Sequence, residues 1–300
     1  MQEFRTGLIA LIGRPNVGKS TLINALVGQK VSITSRKAQT TRHRVRGVLT
    51  RQDAQYVFVD TPGLQWERRS LLSDRMNAAA AAQINEVDVV ALVIDARGWR
   101  PEDDRIVRLL PRADEGGGVV LIINKVDMLR DRDRLLPLIE ASRHRYPFAD
   151  IVPVSAERGE QLEELLGVLR ARLAPGEPLF EVDQATDSSV RFLTAELIRE
   201  KAFRLLGDEI PYGLAVTIEQ WNETGALAVI AATIWVERES HRGIVIGAGG
   251  SKLKEIGRSA RLETERLLEM TVHLDLHVRL SRRWRDDPSR LSKLGYGQHE

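Results

Sequence analysis

The 300-residue chain contains no cysteine, which excludes disulfides, thiolate zinc sites and thiol nucleophiles. No apolar run approaches the ~18–20 residues that a single helical membrane span requires. The first residues do not read as a signal peptide, because the first strand pattern begins almost at once. There is no internal repeat. No sign of charge dominates either: the net charge is +2, a bias too small to name a partner. These absences lead us to expect an intracellular, cytoplasmic globular protein, and 300 residues suggest about two domains.

Against these absences stands a complete phosphate loop. Gly13-Arg14-Pro15-Asn16-Val17-Gly18-Lys19-Ser20 satisfies the pattern G-x-x-x-x-G-K-S/T. An apolar run, 8–12, precedes it as a buried strand, and 21–27 has helical spacing that Gly28 can stop. Strand, glycine turn and helix are what the chemistry requires. The glycines let backbone N–H groups curl around phosphates, and the helix N-terminus adds its positive end. Lys19 is expected on the β- and γ-phosphates, and the Ser20 hydroxyl on Mg²⁺.

Three further motifs follow in order. A strand pattern at 56–59 ends in Asp60-Thr61-Pro62-Gly63, where Asp60 can hold Mg²⁺ through a water and the Gly63 N–H can reach a γ-phosphate. A second strand, 119–123, feeds Asn124-Lys125-Val126-Asp127. The Asp127 carboxylate can accept from guanine N1–H and the 2-amino group together; adenine lacks that pair of donors, so ATP would leave the carboxylate unpaired. We expect the Lys125 stem to pack along the base. A third strand, 151–154, leads to Ser155-Ala156, whose backbone is placed for the guanine oxygen. The expected nucleotide is therefore GTP or GDP.

Strand patterns at 6–12, 44–51, 55–60, 88–95, 118–124 and 151–155 alternate with helical segments. This predicts an α/β domain with a mostly parallel sheet over 1–174. Two prolines, a glycine and a polar run mark 175–189 as a linker. Beyond it, 190–300 reads helix, strand, strand, helix, turn, helix, strand, with the strand pair turning at Asn222-Glu223-Thr224-Gly225. The turn Gly247-Ala248-Gly249-Gly250 between two helices, in αββααβ order, resembles the type II KH fold. There a G-x-x-G loop clamps the backbone of single-stranded nucleotides. Lys252, Lys254 and Arg258 beside this loop, and Arg283 and Arg285 in the tail, suit phosphate contacts. Trp284 suits either a base stack or a staple holding the tail.

Taken together, the phosphate loop, the segment from Ser32 to Arg44, Asp60-Thr61-Pro62-Gly63-Leu64, Asn124-Lys125-Val126-Asp127, Ile246-Gly247-Ala248-Gly249-Gly250 and Trp284-Arg285-Asp286-Asp287 resemble the Era GTPases over nearly the full length. The resemblance implies a P-loop GTPase with a C-terminal KH domain that binds the 3′ region of 16S ribosomal RNA and assists assembly of the 30S subunit. It also implies partial, peripheral association with the inner membrane, on which the residues themselves are silent. We expect a monomer. A cell-cycle signalling GTPase whose C-terminal domain binds protein is the alternative. A GTPase partnered with a tRNA-modifying enzyme would share the switch but lack the C-terminal pattern. Ala248 stands where Era-type loops carry a basic residue, which shifts the phosphate load to Lys252 and Lys254.

Leu64 occupies the place of the water-orienting glutamine of Ras-like enzymes and has no donor or acceptor, so intrinsic hydrolysis should be slow. The remaining catalytic candidates are Asn16, as a K⁺ ligand substituting for an arginine finger, with Lys19, Gly63 and Thr41. Thr41 is favoured over Thr40 as the γ-phosphate-sensing Mg²⁺ ligand. Arg36, Lys37, Arg42, His43, Arg44 and Arg46 lie in an acid-free stretch expected to meet RNA phosphates when the γ-phosphate orders it.

Overall fold

The computed structural model describes residues 3–35, 40–64, 70–111, 118–207 and 210–296. Their contacts divide them into two compact units, 3–64 with 76–187, and 70–75 with 188–296.

The first unit is a sheet flanked by helices. Its elements are β1 (Arg5–Ile12), α1 (Lys19–Val27), β2 (Val45–Thr50), β3 (Ala54–Asp60), α2 (Leu71–Asn85, of which 76–85 belong to this unit), β4 (Val89–Asp95), α3 (Pro101–Val107), β5 (Val119–Asn124), α4 (Leu135–Arg143), β6 (Asp150–Val154), α5 (Leu162–Arg170) and β7 (Ala174–Pro175). The strand order is β2-β3-β1-β4-β5-β6. All pairs along it are parallel except β2 with β3, and the short β7 adds antiparallel to β1. Every residue of β3, β4 and β5 is buried, which explains why these strands read as unbroken apolar runs. Along β1 the pleat sends Ile9 and Leu11 to one apolar cluster with Leu22, Phe58 and Leu165. Ala10 and Ile12 point to the opposite cluster with Leu64, Ala80 and Ile106. Helix α1 ends at Gly28, whose φ of 81° lets its N–H return to the Asn24 carbonyl.

The segment after β7 is not a free tether. The Gln55 side chain accepts from the backbone N–H of Leu179 and Phe180 and donates to the Phe180 carbonyl. Val48 N–H donates to Ala185, and Thr186 bridges to Gly47. Composition marks this stretch as linker because its partners lie more than 120 residues away.

The second unit contains α6 (Val190–Leu205), β8 (Ala215–Thr224), β9 (Leu227–Val236), α7 (Glu239–Ile246), α8 (Ser251–Leu268), β10 (Thr271–Leu280) and α9 (Pro288–Lys293). The order αββααβ is that of the type II KH fold. The sheet runs β10-β9-β8, with β10 parallel to β9 and β8 antiparallel to it. The hairpin turn lies two residues beyond the predicted one: Thr224 pairs with Leu227, and Gly225, with φ 58°, forms the corner. A register shift between Ile218 and Gln220 lengthens β8 beyond what alternation alone shows.

The tail is a staple. Trp284 is fully buried, its indole N–H donates to the Gly213 carbonyl at 3.0 Å, and its ring stacks on Tyr296 at 5.4 Å. Asp287 caps α9 by accepting from Ser289 and Arg290 N–H, with Pro288 at the first helical position. Trp284→Ala should cost the second unit about 3–5 kcal/mol through cavity formation. Hydrogen-exchange protection across β8–β10 in the full chain would report it, and Trp284→Phe should retain most of the protection.

Candidate functional site

The predicted motifs occupy the C-terminal ends of the parallel strands. The phosphate loop follows the central β1, Asp60 ends β3, Asn124 ends β5, and Ser155 follows β6. This is the edge at which open α/β sheets bind ligands.

Asn124 joins three of these loops. Its side-chain N–H donates to the Val17 carbonyl at 2.9 Å, and its side-chain oxygen accepts from Lys125 N–H at 2.8 Å and Ala156 N–H at 3.0 Å. Gly18, with φ 100°, lies so close that a Cβ there would sit 2.4 Å from the Asn124 amide nitrogen. The Ala156 N–H, expected near the guanine oxygen, points to the Asn124 side-chain oxygen in this arrangement. Ser155 acts through its side chain, donating to Asp127 at 2.5 Å and orienting the carboxylate that would read the base. Val126 packs into the core beneath it. The Lys125 ammonium is held by the Asn16 carbonyl and lies 3.1 Å from Asp95, so the lysine spans from the guanine loop to the phosphate loop. Asp95 escaped the sequence reading because it belongs to no motif.

Within the phosphate loop Gly13, Asn16 and Gly18 all have positive φ, and Gly63 presses against Pro15 closely enough that a Cβ would lie 2.9 Å from its nitrogen. Thr61 secures that second loop by donating to the Leu11 carbonyl, next to Pro62. Lys19 is buried, and its ammonium donates to the Gly13 and Arg14 carbonyls at 2.9 and 3.3 Å. Burial lowers its pKa to about 8, with Asp60 pulling upward and Arg14 downward. An anion in the cradle would raise it again.

Ser20, Thr41 and Asp60 converge. Ser20 Oγ donates to Asp60 Oδ2 at 2.7 Å and lies 2.9 Å from Thr41 Oγ1, which is 3.1 Å from the same carboxylate oxygen. Ser32 Oγ adds a fourth contact at 2.7 Å, one the sequence reading missed because a lone serine carries no pattern. The second oxygen of Asp60 is buried without a hydrogen-bond partner among the described residues. Two hydroxyls, one fully buried carboxylate and an orphan oxygen suit a hard divalent cation completed by phosphates, so the residues fit Mg²⁺. Among the described residues no cluster of three His, Cys, Asp or Glu offers a complete metal site by itself. Burial raises the Asp60 pKa, opposed first by Lys19 and then by the three hydroxyls. Thr41 rather than Thr40 meets Ser20 and Asp60. Leu64 is buried in the apolar cluster with Ile12 and Ala80, away from any role in holding water.

In the second unit Gly247, Gly249 and Gly250 all have positive φ, and the turn delivers the chain into the N-terminus of α8. A Cβ at Gly247 would lie 2.9 Å from the Lys252 side chain. Ala248, Lys254 and Arg258 are exposed and Lys252 is half-buried. Arg283 is exposed, but Arg285 is engaged by Glu237, its Nε and Nη2 both reaching Oε2, at 2.9 and 2.7 Å. The basic switch stretch differs from expectation in the same way. Arg44 meets Glu86 at 3.4 Å and Arg46 meets Asp187 at 2.9 Å, so acids from elsewhere in the chain pair with two of its basic residues. Arg36 and Lys37 lie outside the described residues.

Residues 8–125 match the family described as 50S ribosome-binding GTPase, and 209–285 match the KH domain family. The GTPase Era of Bordetella avium is 49% identical, covering 98% of this chain and 99% of its own length; that of Haemophilus influenzae Rd is 47% identical, covering 97% and 96%. The chain belongs to the Era GTPase family. Two solved Era structures agree with its fold at 40% identity. The Aquifex aeolicus Era variant bound to GDP·AlF4⁻ has a TM-score of 0.93 and covers 98% of this chain and 100% of its own. Era in complex with MgGDPNP and nucleotides 1506–1542 of 16S ribosomal RNA has a TM-score of 0.94 and covers 98% and 99%. As an Era GTPase, the chain is a GTP hydrolase with a P-loop domain and a KH domain. Among the described residues no helix is long and apolar enough to cross a membrane.

Thr41→Ala should raise the Mg²⁺ concentration needed to retain a GTP analogue by at least about tenfold, while Thr40→Ala leaves it near the parent value. Release of a fluorescent GTP analogue across a Mg²⁺ titration reads the difference.

Proposed function

We propose that the chain is a cytoplasmic GTP-driven switch whose KH domain binds single-stranded 16S ribosomal RNA and assists assembly of the 30S subunit. In this reading 1–174 form the GTPase, 175–189 the connection and 190–300 the KH domain. The observation that carries it is the presence of two glycine-built cradles in one chain. One, Gly13 to Ser20, is tied by Asn124 to a guanine-reading carboxylate. The other is Gly247 to Gly250 at the start of α8. The Era relative solved with both MgGDPNP and 16S nucleotides supports filling both at once.

Each residue then has a role. Backbone N–H groups of Gly13 to Ser20 surround the phosphates, and Lys19 turns from the Gly13 and Arg14 carbonyls to the β- and γ-oxygens. Asp127, oriented by Ser155, accepts from guanine N1–H and the 2-amino group. Ser20 and Thr41, with Asp60 behind them, would hold Mg²⁺, which supplies charge stabilisation between the β- and γ-phosphates. Thr41 and the Gly63 N–H sense the γ-phosphate and so couple its presence to the two switch loops. With Leu64 buried, no side chain at that position orients the attacking water. Its placement is left to backbone groups, the metal or a supplied element, while Asn16, the exposed tip of the phosphate loop, would hold a K⁺ that substitutes for an arginine finger. On the RNA side Gly247, Ala248, Gly249 and Gly250 admit the phosphate backbone, and Lys252, Lys254, Arg258 and Arg283 neutralise it.

RNA affinity of the full chain should differ between GDP and a non-hydrolysable GTP analogue, with Lys254→Ala weakening both and flattening the salt slope. Equal affinities would remove the coupling. Crosslinking in cells that recovers membrane or protein partners but no small-subunit RNA at the second unit would favour a membrane-associated signalling GTPase. GTP turnover should also fall when K⁺ is replaced by Na⁺, and Asn16→Ala should abolish that dependence; identical turnover in both salts sinks the role of Asn16.

A further inference from the structure

The connection from β4 to α3 belongs to none of the nucleotide motifs, yet each of its ends carries a fully buried carboxylate turned toward the phosphate loop. At its start is Asp95. The Lys125 ammonium lies 3.1 Å from Asp95 Oδ2 and also donates to the Asn16 carbonyl. Arg97 closes the other side, donating to both carboxylate oxygens at 2.7 Å. At its end is Asp103, in the first turn of α3. Its Oδ2 accepts from Arg14 Nε at 3.2 Å and from Arg100 N–H at 2.9 Å, and its Oδ1 is buried without a hydrogen-bond partner among the described residues.

Buried acids are costly unless paired, and these two are compensated differently. Burial opposes ionisation of Asp95, but the hydrogen bonds from Arg97 and the charge of Lys125 outweigh it and hold the carboxyl well below the usual range. Burial raises the Asp103 carboxyl, and Arg14 offsets only part of that. Both acids therefore hold side chains that reach the phosphate loop, Lys125 from Asp95 and Arg14 from Asp103.

The phosphate loop supplies the need. Asn16 lies at φ 65°, a left-handed conformation that asparagine tolerates but that a neighbour must fix for the loop to keep one shape. The Lys125 ammonium on its carbonyl does so, and Asp95 holds that ammonium. The Gly13–Arg14 peptide is held from inside by Lys19. When Lys19 turns to phosphate, that peptide keeps its outer tether, Arg14 on Asp103. We propose that Asp95 and Asp103 are positioning residues for GTP hydrolysis, gripping the phosphate loop at residues 16 and 14 through Lys125 and Arg14. The proposal rests on the GTPase reading of the same site.

The test uses the full chain, with rates expressed per nucleotide site counted at saturating GDP, so that misfolded protein drops out. Asp95→Asn and Asp103→Asn keep shape and remove charge, and a charged hydrogen bond is worth about 1.5–3 kcal/mol. Each should therefore lower kcat/KM by roughly tenfold or more, with faster GDP release from Asp95→Asn. Asp95→Glu, which keeps the anion, should recover most of the loss. Arg14→Ala combined with Asp103→Asn should be no worse than either alone, since one tether is cut only once. Parent kcat/KM in both asparagine variants overturns the proposal. So does a loss in which Asp95→Glu is as impaired as Asp95→Asn and the Arg14–Asp103 losses simply add, because that is what loosened packing predicts. Absence of GTP turnover in the parent chain would instead overturn the reading on which the proposal rests.

Discussion

The nucleotide site depends on one buried amide. Asn124 is almost inaccessible to solvent, and its three hydrogen bonds go to Val17, Lys125 and Ala156. These belong to loops that leave β1, β5 and β6. Loops at a sheet edge are individually mobile, and a phosphate cradle and a base reader are useful together only at a fixed separation. The amide supplies that separation, and Gly18 is glycine partly because nothing larger fits beside it. Lys125, reaching from the guanine loop to the Asn16 carbonyl, is a second tie in the same direction.

The metal corner follows a different logic. Ser20, Ser32 and Thr41 all hydrogen-bond one oxygen of Asp60, leaving the other unpartnered. Such a set is too poor in charge to capture a divalent cation alone and needs phosphate oxygens to complete it. This makes metal occupancy conditional on nucleotide, which is the behaviour a switch requires. With Leu64 packed into the apolar cluster, its position offers no donor or acceptor to a water.

Arginines illustrate where sequence reasoning stopped short. Arg44, Arg46 and Arg285 stand in basic surroundings and read as phosphate ligands, yet each is matched by an acid distant in the chain. Trp284 could have faced a base or the core, and its indole N–H decided the matter by finding the Gly213 carbonyl. The polar stretch after β7 looked like a tether and proved to be fastened by Gln55, a residue with no motif of its own. The positions of β1 to β6, by contrast, were legible within about one residue, because burial on both faces of strands such as β3, β4 and β5 demands unbroken apolar runs.

What the sequence determined by itself was the chemistry held in contiguous residues: a glycine cradle with its lysine and serine, the aspartate that reads guanine, the loss of the catalytic glutamine at Leu64, and a second cradle before α8. Such motifs are local because backbone geometry over a few residues creates them. What only the tertiary structure decided was pairing across distance. It chose Thr41 for the corner with Asp60, Ser155 as the orienter of Asp127, and Asp95 and Asp103 as the acids behind the phosphate loop. Partners drawn from different strand ends become neighbours only when the sheet assembles, and a buried charge or amide takes whichever partner that assembly brings within reach.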